Sequence, residues 1–559
     1  MSKENTKIIL EEYENKFLYK KSKTNLNIEF NRIAFIFFVF LVISIIFSIQ
    51  LLHLGSLKKE NEVKTLITKK NYRADIIDRN GNYLVKSVSS IDIGISPIEV
   101  IDKKRLLINL KWIFPDKDYK EITKKLNKNK FFKFEKNISQ INYEKIMSLG
   151  DKAIKPEEKL TRIYPQKNLF SHIIGQIDDN NNGISGIEKS FDKELKTTKD
   201  PIRLTADADI QFLLRKELLK FQEIFRAKGS AAILMDVNNG AIISMVSLPD
   251  FNLNERKAIT NVNYINRATK GVYEFGSVFK TFTVAAGFNE NLIEPSTEYL
   301  NLKKEIECNG FKIREYNNKT PTDLTVEEIL IRSGNIGSVR IGQKIGEKKF
   351  RSFLKTIGVL GTIDFDIQEV GKPLKINWGK CKLATASYGH GITTTLLQVA
   401  KGYSIVANGG YDIKPTVIKK KIIEKNSRKR IVNKGVSEKI NKILRKIVTN
   451  KDGTAKLANV EGYEVGGKTG TAQISKNGKY TRDKINTFAA IFPSQKPRYT
   501  LVVMLDEPKT NSEYIYYYRD DTQPTKGTPF NTAGWTSVEV AGKIIERIGP
   551  ILATKYIEH

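Results

Sequence analysis

Cysteine and histidine are scarce in this chain of 559 residues, which contains two cysteines and four histidines. Two cysteines are too few for a disulfide-dense scaffold or a zinc ribbon. Cys308 and Cys381 could form one bridge in an exported domain or remain as two buried thiols. The histidines lie far apart, which disfavours a histidine-based metal site, and we expect no metal or other cofactor.

Acidic residues are also few beside the basic ones. The chain has 62 Asp and Glu against 93 Lys and Arg, which gives a net charge of +31. Such a charge first suggests a nucleic-acid partner. The lysines, however, are spread along the whole chain, as is typical of solvated surfaces. We therefore expect no nucleic-acid binding.

One long apolar run lies near the N-terminus. Residues 33–54 read IAFIFFVFLVISIIFSIQLLHL, which carries no formal charge and is long enough to span a bilayer. No small-residue cleavage site follows, so the pattern predicts an uncleaved signal anchor. Five Lys or Arg residues flank the run on each side and give no preference for either orientation.

From about residue 203 onward the chain has an α+β pattern. Asn238-Asn239-Gly240 between two apolar runs predicts a β-hairpin, and residues 488–492 and 500–505 read as further strands. Asp209 is the expected N-cap of a helix before the hairpin. A last helix is expected to end at Gly549-Pro550. This order of elements differs from βαβ repetition.

Ser277 and Lys280 lie three residues apart at the start of a strongly apolar segment. In a helix this spacing puts both side chains on one face, near the positive N-terminal end. A lysine in an apolar, cation-rich pocket can lose its proton and act as a base toward the serine. Alone, Ser-x-x-Lys is a weak motif that chance also produces.

Two further short motifs follow. Ser333-Gly334-Asn335 could supply a hydroxyl that relays a proton and an amide that holds a carbonyl, or it could be an ordinary helix cap. Lys468-Thr469-Gly470-Thr471 reads as a strand with both threonine hydroxyls on one side. Its lysine suits a substrate carboxylate, although the segment could also be a plain edge strand.

Taken together and in this order, the three motifs resemble the signature of the penicillin-binding proteins and serine β-lactamases. Segments before them resemble the non-catalytic pedestal of class B penicillin-binding proteins, and the pattern looks most like the septal, division-specific subtype. These segments are 73–81, Arg-Ile-Tyr-Pro at 162–165, Ser-His-Ile-Ile-Gly at 171–175 and Gly-Ile-Ser-Gly-Ile-Glu-Lys at 183–189. One departure is Phe275 where the family usually has proline before Gly-Ser.

The resemblance implies an α+β fold in which a transpeptidase domain of antiparallel sheet and helices follows an elongated mixed α/β pedestal and one transmembrane helix. The expected divisions are a cytoplasmic tail 1–32, an anchor 33–54, a pedestal 55–202, a transpeptidase domain 203–549 and a C-terminal tail 550–559. The implied location is the cytoplasmic membrane, with the N-terminus inside and the catalytic domain outside.

The resemblance also implies chemistry. Ser277 is the expected nucleophile that forms an acyl-enzyme with a D-Ala-D-Ala stem peptide or a β-lactam. Lys280, Ser333, Asn335 and Lys468 are the expected catalytic partners. The segment Thr469-Gly470-Thr471 is expected to bind substrate. Implied partners are a multi-span glycosyltransferase and other division proteins.

Several alternatives share parts of this pattern. A bifunctional class A enzyme needs a glycosyltransferase domain, and residues 55–200 show no such motif. A β-lactamase or carboxypeptidase has the same three motifs but does not need the anchor and pedestal. A β-lactam sensor needs a cytoplasmic effector domain or more membrane spans, and a tail of 32 residues does not supply either. An elongation-type transpeptidase and a catalytically impaired division scaffold remain open.

Overall fold

A computed structural model of the protein describes residues 23–56, 72–255, 265–316, 320–419, 428–476, 478–517 and 524–555. The N-terminal helix belongs to one compact unit, and the chain from Tyr72 onward forms another.

The first unit contains a single described helix, α1 (Lys23–Ser56). Its apolar part, Arg32–His53, has 22 residues and no buried side chains. At about 1.5 Å per residue this part is about 33 Å long, which matches the hydrocarbon core of a bilayer. Exposed Phe, Ile, Leu and Val on all sides suit lipid rather than a protein core, which agrees with the predicted span at 33–54.

The second unit begins with a mixed region of strands and short helices. Strand β2 pairs antiparallel with β1, β3 and β4, and β1 also pairs in parallel with β5. Its elements are β1 (Ile76–Ile77), β2 (Tyr83–Ile95), α2 (Lys103–Ile113), α3 (Tyr119–Asn127), β3 (Phe132–Glu135), α4 (Gln140–Met147), β4 (Ile154–Ile163), α5 (Ser171–Ile174), α6 (Gly186–Ser190), α7 (Asp192–Thr197) and β5 (Ile202–Arg203).

Helices α2, α3 and α4 surround a small core of their own with one end of β2. Asp102, Asp118 and Ser139 cap the three helices by accepting hydrogen bonds from their first backbone N–H groups. Leu106 and Leu110 of α2 are among the residues that fill this core. The region is therefore a second hydrophobic centre, distinct from the large core of the rest of the unit.

A buried ionic cluster joins the start of this region to its end. Arg73 Nε lies 2.5 Å from Glu188 Oε2, and Arg162 Nε lies 2.8 Å from Glu188 Oε1. Arg73 also contacts Asp192 at 2.7 Å. Arg162 donates a further bond of 2.7 Å to the carbonyl of Ala74. The two guanidinium groups and two carboxylates balance in charge, as a buried cluster requires.

The remainder of the unit is an antiparallel sheet with many helices. Its elements are α8 (Ala208–Ile224), β6 (Gly229–Asp236), β7 (Ile242–Leu248), α9 (Phe279–Asn289), β8 (Glu298–Tyr299), β9 (Glu305–Cys308), β10 (Phe311–Arg314), β11 (Leu324–Thr325), α10 (Val326–Arg332), α11 (Asn335–Ile345), α12 (Glu347–Thr356), α13 (Lys380–Ala386), α14 (Leu396–Ala407), α15 (Lys434–Thr449), β12 (Gly466–Lys476), β13 (Lys479–Phe492), β14 (Tyr499–Asp506), β15 (Ile515–Tyr516), β16 (Thr525–Lys526) and α16 (Ser537–Lys555).

The central sheet has the order β12-β13-β14-β6-β7. All four neighbouring pairs are antiparallel. Strands β6, β7 and β14 are buried along nearly their whole length, because helices α8, α14 and α16 pack on them. This leaves β12 as an edge strand, beside the start of α9. The predicted α+β fold, with an antiparallel sheet and helices, is confirmed.

The predicted hairpin is confirmed as β6 and β7, and the two further strands are confirmed within β13 and β14. Two helix boundaries were predicted wrongly. Asp207, rather than Asp209, caps α8 by accepting bonds from the N–H groups of Asp209 and Ile210. Helix α16 continues through Pro550 to Lys555, and its residue Leu552 is buried after the proline. Apolar packing there outweighs the backbone hydrogen bond that a proline cannot make.

The ionic cluster generates a stability prediction. Replacing Glu188 by Ala leaves two buried guanidinium groups short of a carboxylate, so we expect the unfolding free energy to fall by about 3–5 kcal/mol. Thermal unfolding of the detergent-solubilised chain measures the change. Glu194→Ala, at an exposed carboxylate on α7, is the matched control. Equal melting temperatures for the two variants would show that the ionic cluster does not contribute to stability.

Candidate active site

Ser277 lies in a tight turn, Gly276–Val278, that leads directly into α9. Gly276 has a φ of +56°, a conformation that favours glycine. A Cβ atom on Gly470 of β12 would lie 2.1 Å from the carbonyl oxygen of Phe275. The glycine in the Lys-Thr-Gly motif is therefore what lets the edge strand approach the serine turn so closely.

Lys280, one turn further along α9, is fully buried. Its Nζ donates hydrogen bonds to Asn335 Oδ1 at 2.7 Å and to Ser333 Oγ at 3.2 Å. The Ser277 hydroxyl makes no hydrogen bond with any residue that the structure describes. Burial lowers the pKa of Lys280 to about 7, and the negative charge of Glu315 opposes that drop. A neutral amine is therefore accessible at this position near neutral pH.

Ser333 ends helix α10 in a left-handed conformation, with φ of +60°. Such a backbone is uncommon for a residue with a side chain and is often found at functional sites. It turns the chain so that Asn335 begins α11 only two residues later. The turn brings both polar side chains to the same lysine.

Lys468 approaches the same serine from β12. Its Nζ donates to Ser333 Oγ at 2.8 Å and to the carbonyl of Thr469 at 3.1 Å. Burial, together with the nearby charge of Lys280, holds the pKa of Lys468 well below its usual value. Two ammonium groups around one buried hydroxyl repel each other, which favours the neutral form of one of the two lysines.

Thr469 and Thr471 flank Gly470 on β12 and use their hydroxyls on the same side of the strand, as predicted. Thr469 Oγ1 lies 2.8 Å from Thr454 Oγ1. Thr471 Oγ1 accepts a hydrogen bond of 2.9 Å from the backbone N–H of Ala533. Both threonines face the cleft, while the neighbouring segments hold their orientation.

Glu315 was missed by the sequence analysis. It follows β10 directly and accepts hydrogen bonds from the backbone N–H groups of Asn335 at 2.8 Å and Ile336 at 2.7 Å. The carbonyl of Arg314 accepts a further bond of 2.8 Å from Asn335 Nδ2. Strands β9 and β10 form an antiparallel hairpin. The end of this hairpin therefore orients the Asn335 amide so that its oxygen accepts a hydrogen bond from Lys280. No motif marks Glu315, because its partners lie about 20 residues later in the chain.

The same hairpin is attached by a disulfide between Cys308 at the end of β9 and Cys381 in α13. The two cysteines are 73 residues apart in sequence, with Cα atoms 5.5 Å apart. The sequence left open whether they pair, and the structure pairs them. The covalent bond ties the element that carries Glu315 to the helical part of the unit.

Several of these groups line one cleft of about 690 Å³. Ser277, Ser333, Asn335, Thr469 and Thr471 line it, and exposed aromatic rings such as Tyr316 and Phe530 stand at its rim. A larger cleft of about 1620 Å³ lies along α15 but contains none of the predicted site residues. Chemistry rather than size therefore identifies the candidate active site. It resembles a serine acyl-transfer centre with lysine bases.

Comparison with known proteins agrees with this geometry. Residues 230–521 match the family model described as the penicillin-binding protein transpeptidase domain. Residues 68–218 match the model described as the penicillin-binding protein dimerisation domain. The first match covers more than half of the chain.

Individual relatives extend over most of the chain. It is 29% identical over 499 residues to the probable peptidoglycan D,D-transpeptidase FtsI of Caulobacter vibrioides, covering 86% of this chain and 82% of the relative. It is 27% identical over 488 residues to the stage V sporulation protein D of Bacillus subtilis, covering 79% and 75%.

A solved structure shows the same fold. The apo form of penicillin-binding protein 3 from Mycobacterium tuberculosis matches with a TM-score of 0.64 and 21% identity, covering 87% of this chain and 97% of the other. The described residues contain one apolar helix long enough to span a membrane, and a dimerisation region and a transpeptidase domain follow it, so this single-pass membrane protein belongs to the class B penicillin-binding proteins.

Proposed function

We propose that this protein is a peptidoglycan D,D-transpeptidase that acts through an acyl-enzyme on Ser277. The observation that carries the proposal is the Ser333 hydroxyl, which two buried lysines share beside the Ser277 turn. This arrangement supplies a neutral amine as base, a hydroxyl for proton relay and a cation for a substrate carboxylate.

In the first half-reaction, Ser277 Oγ attacks the carbonyl carbon of the penultimate D-Ala in a donor stem peptide, and its proton passes to Lys280. The peptide C–N bond then breaks, and Ser333 relays the proton to the amine of the leaving D-Ala. In the second half-reaction, an amine of an acceptor stem peptide attacks the ester. Its proton returns to Ser277 Oγ, and a new amide cross-link is released.

The other groups bind and polarise the substrate. The backbone N–H groups of Ser277 and Thr471 form the oxyanion hole in this proposal. One such donor contributes about 2.7–4 kcal/mol in a well-studied serine enzyme. Lys468 and Thr469 bind the terminal carboxylate. Asn335 keeps one N–H free to donate to the peptide carbonyl, because Arg314 takes only the other.

The proposal includes the cellular setting. Peptidoglycan lies outside the cytoplasmic membrane, so the N-terminus is inside and the catalytic unit outside. The role is septal cross-linking during division, with a multi-span glycosyltransferase and other division proteins as partners. Support comes from the sequence pattern and from the similarity, over 86% of this chain, to a protein named FtsI.

The nucleophile is tested by intact mass. Full-length protein in detergent, incubated with a penicillin, should gain one covalent equivalent, and Ser277→Ala should gain none. Ser296→Ala, at an exposed serine beyond α9, should react like the wild type. An adduct on Ser277→Ala would place the nucleophile elsewhere. Rapid release of hydrolysed drug by the wild type would indicate a β-lactamase instead.

The pH dependence tests the base. Acylation needs neutral Lys280, so its rate should rise with pH through a midpoint near 7 and then level off. Because the charge of Glu315 favours protonated Lys280, Glu315→Gln should move the midpoint to lower pH. Stopped-flow acylation between pH 5 and 9 measures both profiles. Glu307→Gln, exposed on the same hairpin, is the control. An unchanged or higher midpoint for Glu315→Gln would contradict this electrostatic role.

The biological role is tested by replacing the gene in its host with the Ser277→Ala form. We expect chains or filaments without completed septa, because septal cross-linking stops while growth continues. Normal division would favour a scaffold role for the protein. Rounded cells that still divide would favour an elongation-type transpeptidase. An inducible wild-type copy serves as the control.

A further inference from the structure

Helix α2 is apolar on two opposite faces. Leu106 and Leu110 are buried in the small core that α2, α3 and α4 share. Ile108 and Trp112 each follow one of these leucines by two residues, which is about 200° around a helix of 3.6 residues per turn. They are 69% and 77% exposed. The described part of the chain therefore leaves this second face largely uncovered.

Neighbouring residues extend the uncovered surface. Lys145 of α4 places its Nζ 5.7 Å from the centre of the Trp112 ring, so α4 lies beside that end of α2. Ile141, one turn before Lys145, is 66% exposed. Ile101, about two turns before Ile108, is 89% exposed. We call Ile101, Ile108, Trp112 and Ile141 the apolar patch. Exposed apolar side chains that gather in one place mark an interaction site, whereas single scattered ones do not.

Exposed basic side chains lie beside the apolar patch. These are Lys104, Arg105, Lys111 and Lys145. The first three lie within four residues of Ile108 on α2, and no carboxylate among the described residues forms an ion pair with any of the four. Residues 101–150 as a whole contain 13 Lys and Arg against six Asp and Glu. The patch therefore combines uncovered apolar surface with unpaired positive charge.

This combination fits a lipid surface better than a protein partner. Protein–protein interfaces are depleted in lysine, and a partner protein would have to bury the lysine that lies over Trp112. Tryptophan and aliphatic side chains with basic neighbours are typical of helices that lie in the membrane interface. Anionic headgroups attract Lys and Arg side chains. Both the apolar surface and the charge of the patch are thus complementary to an anionic bilayer.

The chain also carries its own membrane anchor. Fifteen residues, 57–71, connect α1 to the second unit. Because the two are linked, a second contact with the same bilayer is an intramolecular event at a high effective concentration. Even a weak surface contact is then sufficient to occupy the patch.

We propose that the apolar patch is a second membrane-contact site, which inserts Trp112 and the three isoleucines into the headgroup region of an anionic phospholipid bilayer. The four neighbouring basic side chains bind the lipid phosphate groups. The contact holds the α2–α4 core at the membrane surface. This inference does not depend on the proposed transpeptidase function.

Tryptophan fluorescence tests the contact directly, because the chain has three tryptophans and none of them lies in α1. Full-length protein is placed in nanodiscs of phosphatidylcholine and phosphatidylglycerol. The phosphatidylglycerol is then replaced by a form with brominated acyl chains, which quenches only tryptophans that contact it. We expect wild-type emission to fall by roughly a quarter, since one tryptophan of three is reached. Trp112→Phe, which keeps an apolar ring, should show no fall.

A charge variant tests the basic side chains. Lys104→Gln combined with Lys111→Gln should at least halve the quenching, because the patch loses part of its attraction to anionic headgroups. Lys344→Gln combined with Lys348→Gln makes the same change in net charge at exposed lysines of α11 and α12 and should keep the wild-type quenching.

The outcomes separate lipid from protein. No quenching of the wild type would overturn the inference, and so would quenching that persists in Trp112→Phe. Equal quenching in the two charge variants would overturn the assignment to an anionic lipid. An unquenched Trp112 whose emission moves to shorter wavelength as the number of chains per disc rises would assign the patch to a second copy of the protein instead.

Discussion

The active-site arrangement depends on one serine hydroxyl that two buried lysines share. Lys280 comes from α9, Lys468 from the edge strand β12 and Ser333 from the turn between α10 and α11. Three elements that are distant in sequence therefore meet at a single oxygen atom. Two backbone features bring these elements together. Gly470 lets β12 approach the serine turn closely, and the left-handed conformation of Ser333 turns the chain between α10 and α11. A shift of any one element would break at least one of the two hydrogen bonds to the Ser333 hydroxyl.

This arrangement lowers the stability of the folded state. Lowering the pKa of Lys280 from 10.5 to about 7 corresponds to about 5 kcal/mol against the protonated form. Between these pH values the unfolded chain binds a proton that the folded chain does not, so stability rises with pH across that window. Below pH 7 the full penalty applies. The left-handed Ser333 adds on the order of 1–2 kcal/mol. The apolar packing of α9, whose residues from Phe279 to Phe288 are all buried, is what offsets such terms.

The sequence was informative where a short motif specifies both the local backbone conformation and the reactive side chains. Ser277, Ser333 and Lys468 are separated by 56 and 135 residues, yet family resemblance was enough to predict that they act together. The resemblance could not reveal Glu315, because a carboxylate that caps a helix 20 residues later leaves no local sequence pattern. The cysteine pair was likewise undecidable, since its partners are 73 residues apart. Pro550 misled the prediction because the buried Leu552 beyond it decides the end of the helix.

Lysine illustrates why composition alone said so little about function. The excess of positive charge across the chain is mostly a property of solvated surfaces and indicates no partner. The lysines that matter differ from the rest by environment. Lys280 and Lys468 lose water entirely, and each loses affinity for its proton as a result. Lys484 is only half-buried, so it can keep its charge and still be held in place by a backbone carbonyl. Burial therefore separates the lysines of the cleft from the solvated lysines of the rest of the surface.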